Sequence, residues 1–126
     1  MIKDLLALTA GLFYITESEH PFEVLDWSDI HNNNQLEQKI AAHSSSQLPV
    51  SPMDTGNFFA RIIRNAQLSG DEAMVFADGF RALYAYLQGN FSDIKMYWTG
   101  KITVHIYVAC STGDGYLVLH TIGIET

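Results

Sequence analysis

IKMYWTGKITVHIYVACSTGDGYLVLHTIGIET, residues 94–126, reads as three strands in succession. Isoleucine, tyrosine, valine and threonine dominate it, and Thr99-Gly100-Lys101 and Ser111-Thr112-Gly113-Asp114-Gly115 interrupt it as turns, which predicts an antiparallel meander. In the middle strand Ile102, Val104, Ile106 and Val108 share one face, with Thr103, His105, Tyr107 and Ala109 on the other, by the two-residue period of a strand. In the third strand Tyr116, Val118, His120, Ile122 and Ile124 oppose Leu117, Leu119, Thr121 and Gly123. Neither face of either strand is strongly polar, so both sides of the sheet need a cover. The expected class is α/β, a mainly antiparallel sheet with helices from the upstream chain on its faces. Read as a terminus, Ile124-Glu125-Thr126 holds a carboxylate, a glutamate and a hydroxyl at the end of a sheet strand.

Working back from the meander, the clearest helix begins after Ser69-Gly70-Asp71-Glu72, a capping box with two acids at the positive end of the helix dipole. Ala73, Phe76, Ala77, Phe80, Leu83, Tyr84 and Leu87 make its apolar stripe, and Gly89 is expected to end it. Gly79 inside the stripe suggests a close approach of helix to sheet. Before it, Asp54 or Thr55 can cap a helix with Phe58, Phe59, Ile62 and Ile63 on one side, ending near Asn65. Asn32-Asn33-Asn34 can cap a short helix carrying Leu36 and Ile40, and Ser44 to Pro52 reads as loop. Phe22 to Trp27 has strand propensity and Thr16 to Pro21 reads as an exposed loop. At the start, Ile2, Leu5, Leu6 and Thr9, continued by Leu12 and Phe13, keep helical spacing with Gly11 as a stop.

A chain of 126 residues suits one domain, here 1–126. Its composition, 48% hydrophobic and 17% charged, is that of a folded globular protein. Fourteen acidic against seven basic residues leave a net charge of −7, which argues against direct nucleic-acid binding and for a basic partner. A single cysteine, Cys110, permits no internal disulfide and favours a reducing compartment. Met1 to Ile15 lacks the positive start and cleavage site of a secretory signal, and no apolar run has the length of a membrane span. The expected location is the cytoplasm.

Chemistry-bearing clusters are sparse. Glu17, Glu19 and His20 put two carboxylates and an imidazole within four residues, as a small metal-dependent hydrolase would need. The spacing matches no ligand pattern, and a solvated acidic turn is the better reading. His105 and His120 fall on adjacent strands and can face each other, where packing histidines outnumber functional ones. There is no phosphate-binding glycine loop, nucleophile elbow or zinc-spaced Cys and His cluster. No cofactor is expected, and no catalytic residue is assigned.

The run Gly11-Leu12-Phe13-Tyr14-Ile15-Thr16-Glu17-Ser18-Glu19-His20-Pro21-Phe22-Glu23-Val24, followed by Trp27 and by terminal strands closing on Glu125-Thr126, resembles the nuclease A inhibitor family. The similarity runs through residues 1–27 and 56–126. It implies a helix-sheet-helix sandwich and a non-enzymatic protein that binds a sugar-non-specific, magnesium-dependent nuclease, expected here as a one-to-one complex with a chain that is monomeric when free. The resemblance assigns Glu17 and Thr126 to the nuclease active site, with Thr126 directed towards the partner's magnesium; Glu19 and Glu125, their neighbours in the sequence, are counted with them as expected partner contacts. Where the family's contact loop carries a tryptophan, this chain has Asn65-Ala66-Gln67-Leu68-Ser69, with Leu68 nearest. The alternative is the same fold turned to a different protein partner.

Overall fold

The computed structural model describes residues 1–68 and 74–125. Its frame is a five-stranded sheet in the order β3 (Glu23–Trp27), β7 (Tyr116–Ile124), β6 (Thr103–Ser111), β5 (Ile94–Lys101) and β4 (Ser51–Met53). Every neighbouring pair is antiparallel. A separate hairpin joins β1 (Phe13–Ile15) to β2 (Glu19–Pro21). The helices are α1 (Ile2–Thr9), α2 (Asn33–Ser44), α3 (Thr55–Leu68) and α4 (Met74–Asn90). The expected mixed α/β class, with its antiparallel sheet closed by a meander, is what the chain adopts.

Strand alternation splits the interior into two cores. On one face Met96, Val104, Ile106, Val108, Leu117 and Leu119 meet Leu5 of α1, Phe58 and Phe59 of α3, and Phe80, Leu83 and Leu87 of α4. On the other, Tyr97, Tyr107, Ala109, Tyr116 and Val118 meet Trp27, Ile30, and Leu36 and Ile40 of α2. The periodicity of the meander is thereby realised: odd and even residues of β6 and β7 serve different helices. The sandwich is unequal, three helices against one.

Local signals explain most boundaries. The Asn32 side chain accepts from the Gln35 N–H at 2.9 Å and starts α2, and Asp54 accepts from the Asn57 N–H at 2.8 Å at the start of α3, each a side-chain oxygen satisfying an orphan helix donor. The capping box Ser69 to Glu72, and Ala73, lie outside the described residues. Helix α3 runs on past Asn65 to Leu68, and α4 past Gly89 to Asn90. Helix α1 stops at Thr9, and Gly11 turns the chain at φ +76°. Leu12 and Phe13 therefore do not extend the first helix, and Phe13 opens a strand.

Four further expectations are corrected. Thr16 to Pro21 is not all loop: Glu19, His20 and Pro21 pair with Ile15, Tyr14 and Phe13, because a three-residue turn lets the two short apolar-flanked segments face one another. Ser51 to Met53 pairs with Trp98 to Met96 at the sheet edge, where Pro52 costs the ladder little. The first meander turn centres on Ile102, not on Thr99 to Lys101, which belong to β5. Ile102 itself sits at φ +65°, and a Cβ on Gly100, at φ +116°, would come within 2.2 Å of the Thr103 carbonyl oxygen, so only glycine fits opposite Val104, one rung before the turn. Gly79 does permit a close approach, to Leu12 beside α1 and not to the sheet: a Cβ there would meet Leu12 Cδ2 at 2.6 Å.

Candidate functional site

Three elements converge at one end of the sheet. The hairpin closes through the Thr16 N–H donating to the Ser18 carbonyl at 2.9 Å, which leaves Glu17 at the tip and exposed. The Ile124 N–H donates to Thr16 Oγ1 at 2.9 Å, so the tip is fastened to the last strand. Gly123 makes that contact possible: a Cβ there would come within 2.9 Å of the Tyr14 ring and 3.3 Å of Thr16 Cγ2. One residue on, the Glu125 N–H donates to the Ile102 carbonyl at 2.8 Å, fixing the end of β7 against the β5–β6 turn. Glu17 and Glu125, two exposed carboxylates far apart in sequence, are thus carried by one hydrogen-bonded ridge.

Beside the ridge lies a cleft of about 470 Å³ lined by Tyr14, Ile15 and Thr16 of the hairpin and by Phe58, Arg61, Asn65 and Phe76 of the helices. A smaller hollow of about 170 Å³ continues past Arg61 to Met53, Trp98 and Glu125. Burial raises the Tyr14 phenol above its usual range, with Arg61 opposing and Glu125 reinforcing the shift, so a cation, a phenol and a carboxylate share this surface. Its apolar share is large: Ile15 is 57% exposed, Ile102 54% and Trp98 38%. A β-branched residue at positive φ with its side chain in water is a costly arrangement, about 1–3 kcal/mol. Such strain gathers where proteins bind.

Of the residues singled out in the sequence, Glu17 and Glu125 are brought to the same ridge, and Glu19 is exposed at the start of β2. Leu68 is the last residue of α3, and Thr126 lies outside the described residues. Glu19 and His20 are neighbours in a strand and so point to opposite sides, which undoes their reading with Glu17 as one donor set. Trp98 and Ile102 were missed. An aromatic in a strand gives no sign of facing solvent, and the turn expected at Thr99-Gly100-Lys101 stops one residue short of Ile102, which the alternation places in the middle strand.

Donor atoms do converge elsewhere, on the α2 face. His120 Nδ1 lies 2.6 Å from Glu23 Oε1, and His43 Nε2 lies 3.6 Å from the same oxygen. His120 Nε2 meets His105 Nδ1 at 2.9 Å, and His43 Nδ1 meets the Tyr107 hydroxyl at 2.7 Å. Burial holds both His120 and His105 below the ordinary imidazole range; in His120 it outweighs the opposing pull of Glu23. The facing of His105 and His120 was legible from strand parity, whereas Glu23 and His43 come from a distant strand and helix.

No helix among the described residues is long and apolar enough to cross a membrane. The sequence profile of the family described as "Nuclease A inhibitor-like protein" matches residues 1–126. No curated protein matches the chain.

Proposed function

We propose, from the premise that this chain belongs to the nuclease A inhibitor-like family, that it is a single-domain cytoplasmic protein that binds a sugar-non-specific, magnesium-dependent endonuclease one to one and blocks its active site. It carries out no catalysis and needs no cofactor in this role. One observation carries the reading: the Thr16 to Ile124 hydrogen bond ties the hairpin tip to the last strand, so Glu17 and the segment ending in Glu125 and Thr126 enter a partner together. The relative position of Glu17 and Glu125 is fixed on folding, which spares the ordering cost at binding. Nucleases indifferent to base and sugar grip phosphate with positive charge and metal, so a net charge of −7 favours encounter and the ridge carboxylates stand in for phosphate. An oxygen donor from Thr126 replaces a water on a magnesium ion that keeps several. Trp98 and Ile102, both exposed, supply the apolar anchorage lost where Leu68 stands in place of the family's contact-loop tryptophan, since aromatics buried on binding dominate interface energies.

Titration against such a nuclease, with DNA and RNA as parallel substrates, tests the reading. Cleavage of both substrates should stop at one equivalent of inhibitor. Glu17→Gln, and a chain ending at Glu125, should each weaken inhibition by at least tenfold, about 1.4 kcal/mol, with the melting temperature unchanged. Glu19→Gln should matter less. No inhibition of any magnesium-dependent non-specific nuclease in a panel would favour the same fold acting on a different protein partner.

A further inference from the structure

We infer that Glu23, His43 and His120 form a zinc-binding site on the α2 face of the sheet, separate from the ridge assigned to the nuclease. One ligand atom from each of the three lies within 4.8 Å of the others. They come from three places: Glu23 opens β3, His120 sits opposite it on β7, and His43 reaches over from the last turn of α2. Two imidazoles and one carboxylate around an open position are a donor set zinc accepts. Ligand atoms on a tetrahedral zinc, with bonds of about 2.1 Å, stand roughly 3.4 Å apart. The 3.6 Å between His43 Nε2 and Glu23 Oε1 already suits that spacing. The 2.6 Å between His120 Nδ1 and Glu23 Oε1 must widen, and Glu23, whose side chain is 52% exposed, has room to give.

What distinguishes this cluster from three polar groups that happen to meet is the support behind each ring. A metal-bound histidine needs its other nitrogen protonated and held. For ligation through Nε2, His43 must carry its proton on Nδ1, and that nitrogen meets the Tyr107 hydroxyl at 2.7 Å, an acceptor in place. For ligation through Nδ1, His120 must carry its proton on Nε2, which meets His105 Nδ1 at 2.9 Å. Without metal, His120 donates from Nδ1 to Glu23 and accepts from His105; with metal the His105 to His120 bond reverses and no partner is lost. The rings are further fixed by stacking, His120 on Tyr107 with centroids 4.7 Å apart and on His105 at 5.2 Å. His43 meets His120 edge to face at 4.9 Å. The site opens to solvent through Glu23 and His43, so an ion has an entry path.

Equilibrium dialysis of the full chain, stripped of metal by chelator and exposed to zinc chloride at neutral pH, tests the assignment. One zinc per chain should be retained. Glu23→Gln and His43→Ala should each weaken retention by at least tenfold, and Tyr107→Phe by about 10-fold through the lost orientation of His43. His20→Ala and His31→Ala, outside the cluster, should change nothing. Cobalt(II) substituted into the same protein should give the intense visible absorption of a four-coordinate site, lost in His43→Ala. Circular dichroism shows whether each variant is folded; if His120→Gln is not, Glu23→Gln and His43→Ala still decide the matter. Absence of retained zinc, or retention that survives both substitutions or follows His20 or His31, overturns the inference. Nuclease inhibition is not part of this test, so its outcome is independent of the functional proposal above.

Discussion

The two faces of the sheet are built from the same strands yet hold different chemistry. The face covered by α1, α3 and α4 buries a continuous set of aliphatic and aromatic side chains, with Phe58 and Phe59 edge to face and Phe59 stacked on Tyr84 at 4.5 Å. The face under α2 is held by Leu36 and Ile40 at its centre and gives way at one end to Glu23, His43, His105, His120 and Tyr107. One helix cannot cover a five-stranded sheet. Where cover ends, buried side chains need polar partners, and the histidines and tyrosine find them in each other. The thickly covered face gives rigidity to the ridge at its rim, while the thinly covered face leaves titratable groups in reach of solvent.

If this contrast is right, the heaviest losses come from the three-helix face. Phe59→Ala, at a side chain with no exposure, should cost about 3–5 kcal/mol in chemical denaturation, and His43→Ala on the other face should cost clearly less. Equal losses would mean that the polar cluster is as central to folding as the aromatic core. The anchoring of α2 gives a finer comparison. Asn32→Ala removes the cap bond to Gln35 and should cost about 1 kcal/mol. It should speed amide exchange in α2 while leaving α4 unchanged, because the two helices touch different cores.

At the rim between the faces, Ile102→Gly should raise stability by about 0.5–1 kcal/mol, the relief of positive-φ strain less the added backbone entropy of glycine. The same substitution should weaken nuclease inhibition; a stabilised variant with full inhibition would remove Ile102 from the binding surface. The smallest effect belongs to Cys110, buried on the three-helix side. Burial pushes its thiol up to about 12. The thiolate is therefore scarce at pH 8, and alkylating reagents should label Cys110 only when the protein unfolds. Rapid labelling of the native chain would show that this face opens more readily than its packing implies.

The sequence alone specified what depends on near neighbours. Strand period separated the residues of the two cores before any contact was known, as Val104, Ile106 and Val108 against Tyr107 and Ala109 show. The caps of α2 and α3 were legible as the Asn32-Asn33-Asn34 run and as Asp54 or Thr55 from a few residues of context, and the structure gives them to Asn32 and Asp54. The Thr16 to Val24 run likewise pointed to the family that the whole-chain match establishes. What required the tertiary structure was everything joined across the chain. The hairpin of β1 and β2 escaped notice because three-residue strands carry no periodicity. The ridge depends on a bond between Thr16 and Ile124, and the Glu23, His43 and His120 cluster on residues from β3, α2 and β7. No local pattern encodes such meetings: sheet order and helix placement bring them about, through the burial of apolar surface far from the groups that finally touch.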